Sequence, residues 1–140
     1  MDQMAPYGLL MLPAAAEDFP RAFTLAFATG SGAEVAALLD PDGQGATLSG
    51  QWAEGRAAME AAWAAEFAGL LTRARLVTGR TGLHVLGPGA AVVSQRYVVS
   101  GALDAEGGEL PRFPAVLSAT IIARPEGWTA VVLSFVAISY

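Results

Sequence analysis

The spacing of apolar residues changes from three and four in the first half of the chain to two in the second half. The first helix face is predicted by residues at the i, i+3, i+4, i+7 and i+8 positions, which are Phe19, Ala22, Phe23, Ala26 and Phe27. From Leu83 onward the chain reads as long apolar strands, and the acidic residues of that half fall in turns or loops: Asp104, Glu106, Glu109 and Glu126. Helices followed by antiparallel strands indicate an α+β fold, a strongly bent antiparallel sheet with the N-terminal helices on its concave face.

Capping residues predict where the first two helices begin and end. Asp18 has the residue type of an N-cap before the first helix, and Gly30 suits the end of that helix because glycine adopts the left-handed conformation easily. Ser31 and Glu34 have the S-x-x-E spacing of a capping box. This spacing predicts a second, short helix directly after the first.

A third helix is predicted over residues 57–71, with one apolar face. Its buried stripe consists of Met59, Ala62, Trp63, Phe67 and Leu70. Glu66 falls close to the middle of this stripe, where a carboxylate is unusual because charged side chains are rarely buried.

The remaining segments predict turns and strands. Residues 40–43, with the sequence Asp-Pro-Asp-Gly, predict a turn. Gly79 and Gly82 indicate a bend or bulge, and residues 125–127 predict the hairpin between the last two strands. The predicted strands cover residues 46–48, 73–78, 83–86, 91–101, 113–124 and 128–139.

The last two predicted strands are apolar on both faces. One face carries Ala115, Leu117, Ala119 and Ile121 with Val131, Leu133, Phe135 and Ala137, and the other carries Val116, Ser118, Thr120 and Ile122 with Val132, Ser134, Val136 and Ile138. An antiparallel sheet covered on one face should show polar residues on the other. We therefore expect helices to cover one face and a second subunit the other, in a homodimer through the sheet.

Charge and cysteine content narrow the classes of partner and cofactor. The chain has a net charge of -5, and its eight basic residues are arginines that do not cluster. Nucleic acid and anionic membrane surfaces are therefore not expected partners. The chain has no Cys, which excludes disulfides and thiol nucleophiles, and its single His is a poor ligand set. No metal and no cofactor are predicted.

Residues 1–16 are an apolar leader, broken by Pro6 and Pro13, which either forms a loose tail or lies as a strap across the body or a partner. Residues 17–140 are predicted to form a single domain. The apolar run at residues 7–12 is shorter than the roughly 20 residues that cross a bilayer. It also lacks a basic segment before it, so we expect no signal peptide and a cytoplasmic protein.

Three short sequence segments, taken in their order along the chain, carry a resemblance to known proteins. The two helices are followed by Leu-Leu-Asp-Pro-Asp-Gly at residues 38–43, and Gly-Gln-Trp-Ala-Glu-Gly-Arg at residues 50–56 precedes the third helix. Pro-Glu-Gly-Trp at residues 125–128 then opens the last strand. Over residues 17–139 this order resembles the nuclear transport factor 2-like superfamily, the cystatin-like α+β cone shared by SnoaL-type cyclases and ketosteroid isomerase. The resemblance implies the fold, which hosts enzymes and binding proteins alike.

The activities that the resemblance implies do not carry over residue by residue. Isomerases and cyclases of the superfamily place a carboxylate, or a His backed by a carboxylate, inside the cone, whereas the strands predicted here contain no Asp or Glu. Dehydratase-like members use more than one His, and this chain has only His84.

Glu66 and His84 are the candidate catalytic residues, each with a structural alternative. Burial of Glu66 among aromatic residues would raise its pKa and suit proton transfer, but it is also placed to pair with an arginine such as Arg73 at the edge of the stripe. His84 suits a general base near neutral pH, but it shares a strand face with Leu86 and has no carboxylate nearby to orient it. An edge, interface or solvated position is therefore the preferred interpretation of His84.

Gln95 and Tyr97 share one strand face and are the candidate polar anchors of an apolar pocket. The alternative is an amphipathic strand with Tyr97 in the core and its hydroxyl bonded to the backbone. The predicted ligand-binding residues are Phe23, Phe27, Trp63, Phe67, Gln95 and Tyr97. The sequence thus predicts a homodimer that binds a small apolar ligand, with a proton-transfer enzyme that uses Glu66 or His84, either an isomerase or a polyketide-cyclase-like protein, as the alternative.

Overall fold

Three α-helices and six strands form the part of the chain that the computed structural model describes, residues 11–138. The helices are α1 (Phe19–Ala28), α2 (Gly32–Ala36) and α3 (Arg56–Ala68). The strands are β1 (Leu39–Ala46), β2 (Trp52–Glu54), β3 (Arg75–Gly87), β4 (Ala90–Ser100), β5 (Phe113–Arg124) and β6 (Gly127–Ala137). They form one sheet in the order β2-β1-β6-β5-β4-β3.

The predicted boundaries of the first two helices agree with the structure. Helix α1 follows Asp18, although the Asp18 side chain makes no capping hydrogen bond. Gly30, just after the helix, has the left-handed φ of 70° for which glycine is suited. The Ser31 hydroxyl accepts a hydrogen bond from the backbone N–H of Glu34 at 3.3 Å, which confirms the cap of α2. The third helix ends at Ala68, three residues earlier than predicted.

The turn predicted at residues 40–43 is wrong, because these residues belong to β1, which also replaces the strand predicted at 46–48. The glycines of this segment permit close approach to β6 rather than a turn. A Cβ atom at Gly45 would lie 1.7 Å from the carbonyl oxygen of Leu133, and one at Gly43 would lie 2.9 Å from that of Ala130. Contact with the backbone of β6 therefore overrides the local turn propensity.

The segments predicted as two short strands on either side of Gly79 form the single strand β3. Its pairing with β4 shifts register between Thr78 and Thr81, where the bend or bulge was predicted. Strands β3 to β6 pair antiparallel, as predicted, whereas β1 joins β6 in a short parallel pairing that the sequence pattern did not indicate.

The core lies between the helices and one face of the sheet. Partner residues across β4, β5 and β6 share this face and are fully or almost fully buried: Gln95 with Leu117 and Phe135, Val93 with Ala119 and Leu133, and Tyr97 with Ala115. Helices α1 and α3 cover these residues with Phe23, Phe27 and Trp63. The predicted α+β class, a bent sheet with the N-terminal helices on one face, is confirmed.

The end of the predicted leader contacts the β5–β6 hairpin. The backbone N–H of Trp128 donates to the carbonyl of Pro13 at 2.9 Å, and Pro13 is buried. The remainder of the leader, residues 1–10, lies outside the described residues.

Candidate functional site

Six aromatic rings pack on one another where the sequence predicted a cavity. The ring of Phe23 lies 5.8 Å from that of Trp63, 6.2 Å from that of Tyr97 and 5.5 Å from that of Phe135, measured between centroids. Phe67 is 5.2 Å from Phe27. These separations are those of directly contacting rings. The structure therefore brings the predicted aromatic residues together, as a packed cluster.

Phe135 was missing from the predicted set, although it stands in the centre of the cluster. It is fully buried on β6 and contacts the rings of Phe23, Phe27, Trp63 and Tyr97. The alternation of β6 places Phe135 on the same face as Leu133 and provides the signal that could have identified it.

Gln95 faces the core, as predicted, but its amide holds the irregular part of β3. The Nε2 atom donates to the carbonyls of Gly79 at 3.0 Å and Arg96 at 2.9 Å, with a longer contact to Arg80 at 3.3 Å. The Thr81 hydroxyl donates to Oε1. Gln95 thus satisfies the carbonyls that the register shift frees from regular pairing.

Tyr97 is buried, and its hydroxyl bonds to α1. The Tyr97 oxygen lies 2.7 Å from Oγ1 of Thr24, which also donates to the carbonyl of Pro20 at 3.0 Å. Burial raises the pKa of Tyr97 to about 12, and the bond with Thr24 opposes this in part. The phenol is therefore neutral at physiological pH.

Glu66 is buried with an exposure of 5%, and it binds a loop rather than Arg73. Its two carboxylate oxygens accept hydrogen bonds from the backbone N–H and the hydroxyl of Ser49, both at 2.9 Å. Ser49 lies between β1 and β2, so Glu66 ties that connection to α3. The spacing of α3 identified Glu66 as unusual, but it could not identify a partner 17 residues away in a loop.

His84 is exposed on β3, which is the edge strand of the sheet. It stands opposite Val92 in the pairing with β4. Since residues alternate between faces, His84 lies on the face opposite Gln95 and Tyr97. The structure does not bring His84 together with Glu66 or with the predicted polar anchors.

A carboxylate does lie on a strand, at Asp40 in β1, where the sequence predicted a turn. Asp40 is buried, and its neighbour Leu39 faces the core, so Asp40 points to the opposite face of the sheet. Both of its oxygens accept hydrogen bonds from Arg124, and Thr129 donates a third.

Two buried polar atoms have no hydrogen-bond partner among residues 11–138: Nε1 of Trp63 and Oγ1 of Thr47. An unpartnered buried group costs free energy relative to its hydrated state in the unfolded chain.

Among residues 11–138 no group of three or more Asp, Glu and His side chains is arranged to hold a metal ion. None of the helices there is long and apolar enough to cross a membrane.

One open cleft lies beside the aromatic cluster, and a second cleft shares two lining residues with it. The first, which we name the α1–β3 cleft, has a volume of about 370 Å³ and is lined by Thr24, Phe27, Ala28 and residues 72–76. A second cleft of about 540 Å³ is lined by Arg73, Arg75, Ser100, Gly101 and Glu109. Phe27 joins the α1–β3 cleft to the aromatic cluster. Sequence reasoning missed this cleft because the pattern marked residues 73–78 only as a strand.

No family model and no curated protein matches the chain. Solved structures do. An uncharacterised protein with a cystatin-like fold from Caulobacter vibrioides has a TM-score of 0.78 at 18% identity, over 89% of this chain and 88% of that chain. A ketosteroid isomerase-like protein from Erwinia carotovora atroseptica has a TM-score of 0.72 at 13% identity, over 86% and 92% of the two chains.

A nuclear transport factor 2-like protein from Novosphingobium aromaticivorans, also with a cystatin-like fold, has a TM-score of 0.63 at 23% identity, over 88% of this chain and 79% of that chain. At these identities the likeness establishes the fold. The chain has a cystatin-like fold, as these proteins do, which confirms the fold implied by the resemblance noted in its sequence.

Proposed function

We propose that this protein is a small-molecule-binding homodimer whose ligand occupies the α1–β3 cleft rather than the space among the aromatic rings. The observation that carries the proposal is an open cleft of about 370 Å³ that borders a closed interior. The rings there contact one another, and Gln95, Tyr97 and Glu66 already have hydrogen-bond partners within the protein. A ligand among the rings would have to displace them, whereas the cleft is accessible.

The size and lining of the α1–β3 cleft suit a small ligand. Its volume lies at the lower end of the roughly 300–1,000 Å³ that is typical of ligand sites. Phe27 and Leu76 contribute apolar surface, and Thr24 contributes a hydroxyl. Burial of apolar ligand surface against these side chains favours binding by about 25 cal/mol per Å².

The alternative of a proton-transfer enzyme has less support. A ketosteroid isomerase-like protein shares the fold. Glu66, however, is bound by Ser49 on both oxygens, and His84 is exposed on the edge strand. The two candidate catalytic residues are on separate elements, and neither lines the α1–β3 cleft.

The homodimer is proposed from the face of the sheet that the helices leave uncovered. Its residues on β4, β5 and β6 are Val92, Ser94, Arg96, Val98, Val116, Ser118, Thr120, Val132, Ser134 and Val136. Arg96 is the one charged residue in this set. Ser94, Ser118 and Ser134 stand opposite one another across the three strands, and their small side chains permit a second sheet to approach closely. A two-fold dimer would cover this face with its own copy.

Ligand binding is tested by screening a library of small aromatic and aliphatic fragments with amide NMR spectra of the protein. We expect binders to shift the resonances of Thr24, Phe27 and Leu76. Ala28→Trp fills the cleft and should abolish binding. Ala61→Trp is the control, because Ala61 is exposed on α3 and does not line the cleft.

Two outcomes would contradict the proposal. Binding that survives Ala28→Trp and shifts Trp63 and Phe67 instead would place the ligand among the rings. A library in which no fragment shifts the resonances of the α1–β3 cleft would remove the ligand-binding function.

A further inference from the structure

A further open cleft lies between the end of α3 and the loop that joins β4 to β5. Its volume is about 530 Å³, and the residues that line it include Ser49, Leu70, Thr72, Asp104 and Leu110. We name it the α3–loop cleft. It shares Thr72 with the α1–β3 cleft, but its remaining lining residues are different, so it is a second candidate site.

The loop places Asp104 and Leu110 on the same side. Leu103 pairs with Glu109 in an antiparallel bridge, and the backbone N–H of Leu110 donates to the carbonyl of Ala102 at 2.8 Å. Since opposite residues share a face and neighbours along the chain alternate, Ala102, Asp104 and Leu110 point to one face of this hairpin. Ala102 is buried, so that face is directed toward the body of the protein. Asp104 and Leu110 therefore line the α3–loop cleft together.

The hydroxyl groups of the cleft use their protons within the protein. The Ser49 hydroxyl donates to Oε2 of Glu66 at 2.9 Å. The Thr72 hydroxyl lies 2.9 Å from the carbonyl oxygens of both Phe67 and Gly69, and its single proton is directed to them. A hydroxyl oxygen retains lone pairs after it has donated its proton. Ser49 and Thr72 therefore offer a ligand hydrogen-bond acceptors rather than donors.

Asp104 adds a negative charge to these acceptors. Among residues 11–138 it is the one charged residue that lines the α3–loop cleft. Its Oδ1 atom accepts hydrogen bonds from the backbone N–H groups of Glu106 at 2.9 Å and Gly108 at 2.7 Å, which fix the carboxylate on the loop. A carboxylate can accept about four hydrogen bonds, so Asp104 retains acceptor positions for a ligand.

The end of α3 also contributes negative potential. The helix ends at Ala68, and both Ala68 and Gly69 line the cleft. The carbonyl groups at the C-terminal end of a helix carry a partial negative charge, which stabilises a nearby cation. The groups that line the cleft thus favour a ligand that donates hydrogen bonds and carries a positive charge. Leu70 and Leu110 supply apolar surface for the rest of the ligand.

We infer that the α3–loop cleft binds a small organic cation, in which a primary ammonium group is joined to an apolar body. The ammonium group donates to Asp104, and the body lies against Leu70 and Leu110. Ser49 and Thr72 accept any further hydrogen bond that the ligand donates. This site is additional to the one proposed in the α1–β3 cleft and does not depend on it.

The test compares two matched compounds, phenethylamine, which is a cation at neutral pH, and the neutral phenethyl alcohol. The affinity of each for this cleft is measured from the amide NMR shifts of Leu103 and Leu110, which lie outside the α1–β3 cleft. We expect phenethylamine to bind at least about threefold more tightly, because its ammonium group gains a charge pair with a partly solvated carboxylate. Both compounds should shift the same resonances, since their apolar bodies are the same.

Asp104→Asn tests the assignment to the carboxylate. Asparagine keeps an oxygen that can accept from the N–H groups of Glu106 and Gly108, so the loop should retain its shape without the charge. The variant should lower the affinity for phenethylamine to about that for phenethyl alcohol and leave the alcohol unchanged. Glu106→Gln is the matched control, because it removes the same charge from an exposed residue of the same loop that does not line the cleft. It should leave both affinities unchanged.

Three results would overturn the inference. The first is equal affinity of the two compounds in the wild type. The second is a loss of phenethylamine affinity in Glu106→Gln as large as that in Asp104→Asn, because the acidic surface as a whole would then attract the cation. The third is the absence of shifts at Leu103 and Leu110. None of them bears on the α1–β3 cleft, which the fragment screen tests through Thr24, Phe27 and Leu76.

Discussion

Arg124 and Asp40 join the β5–β6 hairpin to the start of β1 through two parallel hydrogen bonds. Nε and Nη2 of Arg124 donate to Oδ1 and Oδ2 of Asp40, each at 2.9 Å, and the Thr129 hydroxyl donates to Oδ1 at 3.1 Å. The hydrogen bonds from Arg124 hold the pKa of Asp40 below its usual value of 3.8, although burial of the carboxyl opposes this. The contact connects residues 84 positions apart.

This pair should make stability depend on acid pH. Because the folded-state pKa of Asp40 is lowered, its contribution to stability is present above pH about 4 and is lost as the pH falls through the lower folded-state value. Urea unfolding followed at several pH values should show Asp40→Asn less stable than the wild type at pH 7, with the difference shrinking toward pH 2. Asp42→Asn is the control, because Asp42 is exposed in the same strand. Equal stability of the Asp40 and Asp42 variants at pH 7 would contradict the assignment.

The aromatic cluster should carry much of the stability. Phe23 is fully buried and contacts four other rings, so Phe23→Ala should lower the free energy of unfolding by about 3–5 kcal/mol. Leu25 on the same helix is 48% exposed, and Leu25→Ala should cost about 0.5 kcal/mol. Denaturant unfolding measures both. A loss below 1.5 kcal/mol for Phe23→Ala, which is roughly half the lower bound, would indicate a loosely packed interior.

Thr47 and Thr129 should respond differently to replacement by valine. The Thr47 hydroxyl is buried without a partner among the described residues, so Thr47→Val should leave stability unchanged or raise it by about 1 kcal/mol. Thr129 is buried and donates to Asp40, so Thr129→Val should lower stability by about 1–3 kcal/mol. Thermal unfolding of the two variants side by side decides the matter. A clear loss of stability in Thr47→Val would mean that its hydroxyl is hydrogen-bonded after all.

Ionisation of Tyr97 should lower the stability of the fold at alkaline pH. Burial raises its folded-state pKa to about 12, above its usual value of 10.0. Its contribution is therefore complete below pH 10 and is lost as the pH rises through about 12. Stability measured from pH 8 to 11 should fall more steeply in the wild type than in Tyr97→Phe, which has no proton to lose. If stability falls equally steeply with pH in the two proteins, burial does not raise the pKa of Tyr97 in the folded state.

The sequence was informative wherever one local pattern decided the structure. The aromatic spacing of α1 and the Ser31 cap place the first two helices, and the alternation of β4 predicts that Gln95 and Tyr97 share one face of the sheet. These features depend on a few neighbouring residues, and their tertiary surroundings reinforce them.

The sequence was uninformative where a distant backbone decided the structure. The turn propensity of residues 40–43 yields to the close approach of Gly45 to Leu133. The partner of Glu66 is a loop residue, Ser49, which no periodicity identifies. Whether the rings enclose a cavity depends on how far the helices stand from the sheet, and Phe135 fills that space.

Light scattering coupled to size-exclusion chromatography tests most directly the claim that this protein works as a homodimer through its uncovered sheet face. Each chain has a mass of 14.4 kDa. The account predicts twice that mass at micromolar concentration, because a second copy covers the valine- and serine-lined face of β4, β5 and β6. A mass of 14.4 kDa at that concentration would contradict it, because a single chain would then be stable with this sheet face exposed to solvent.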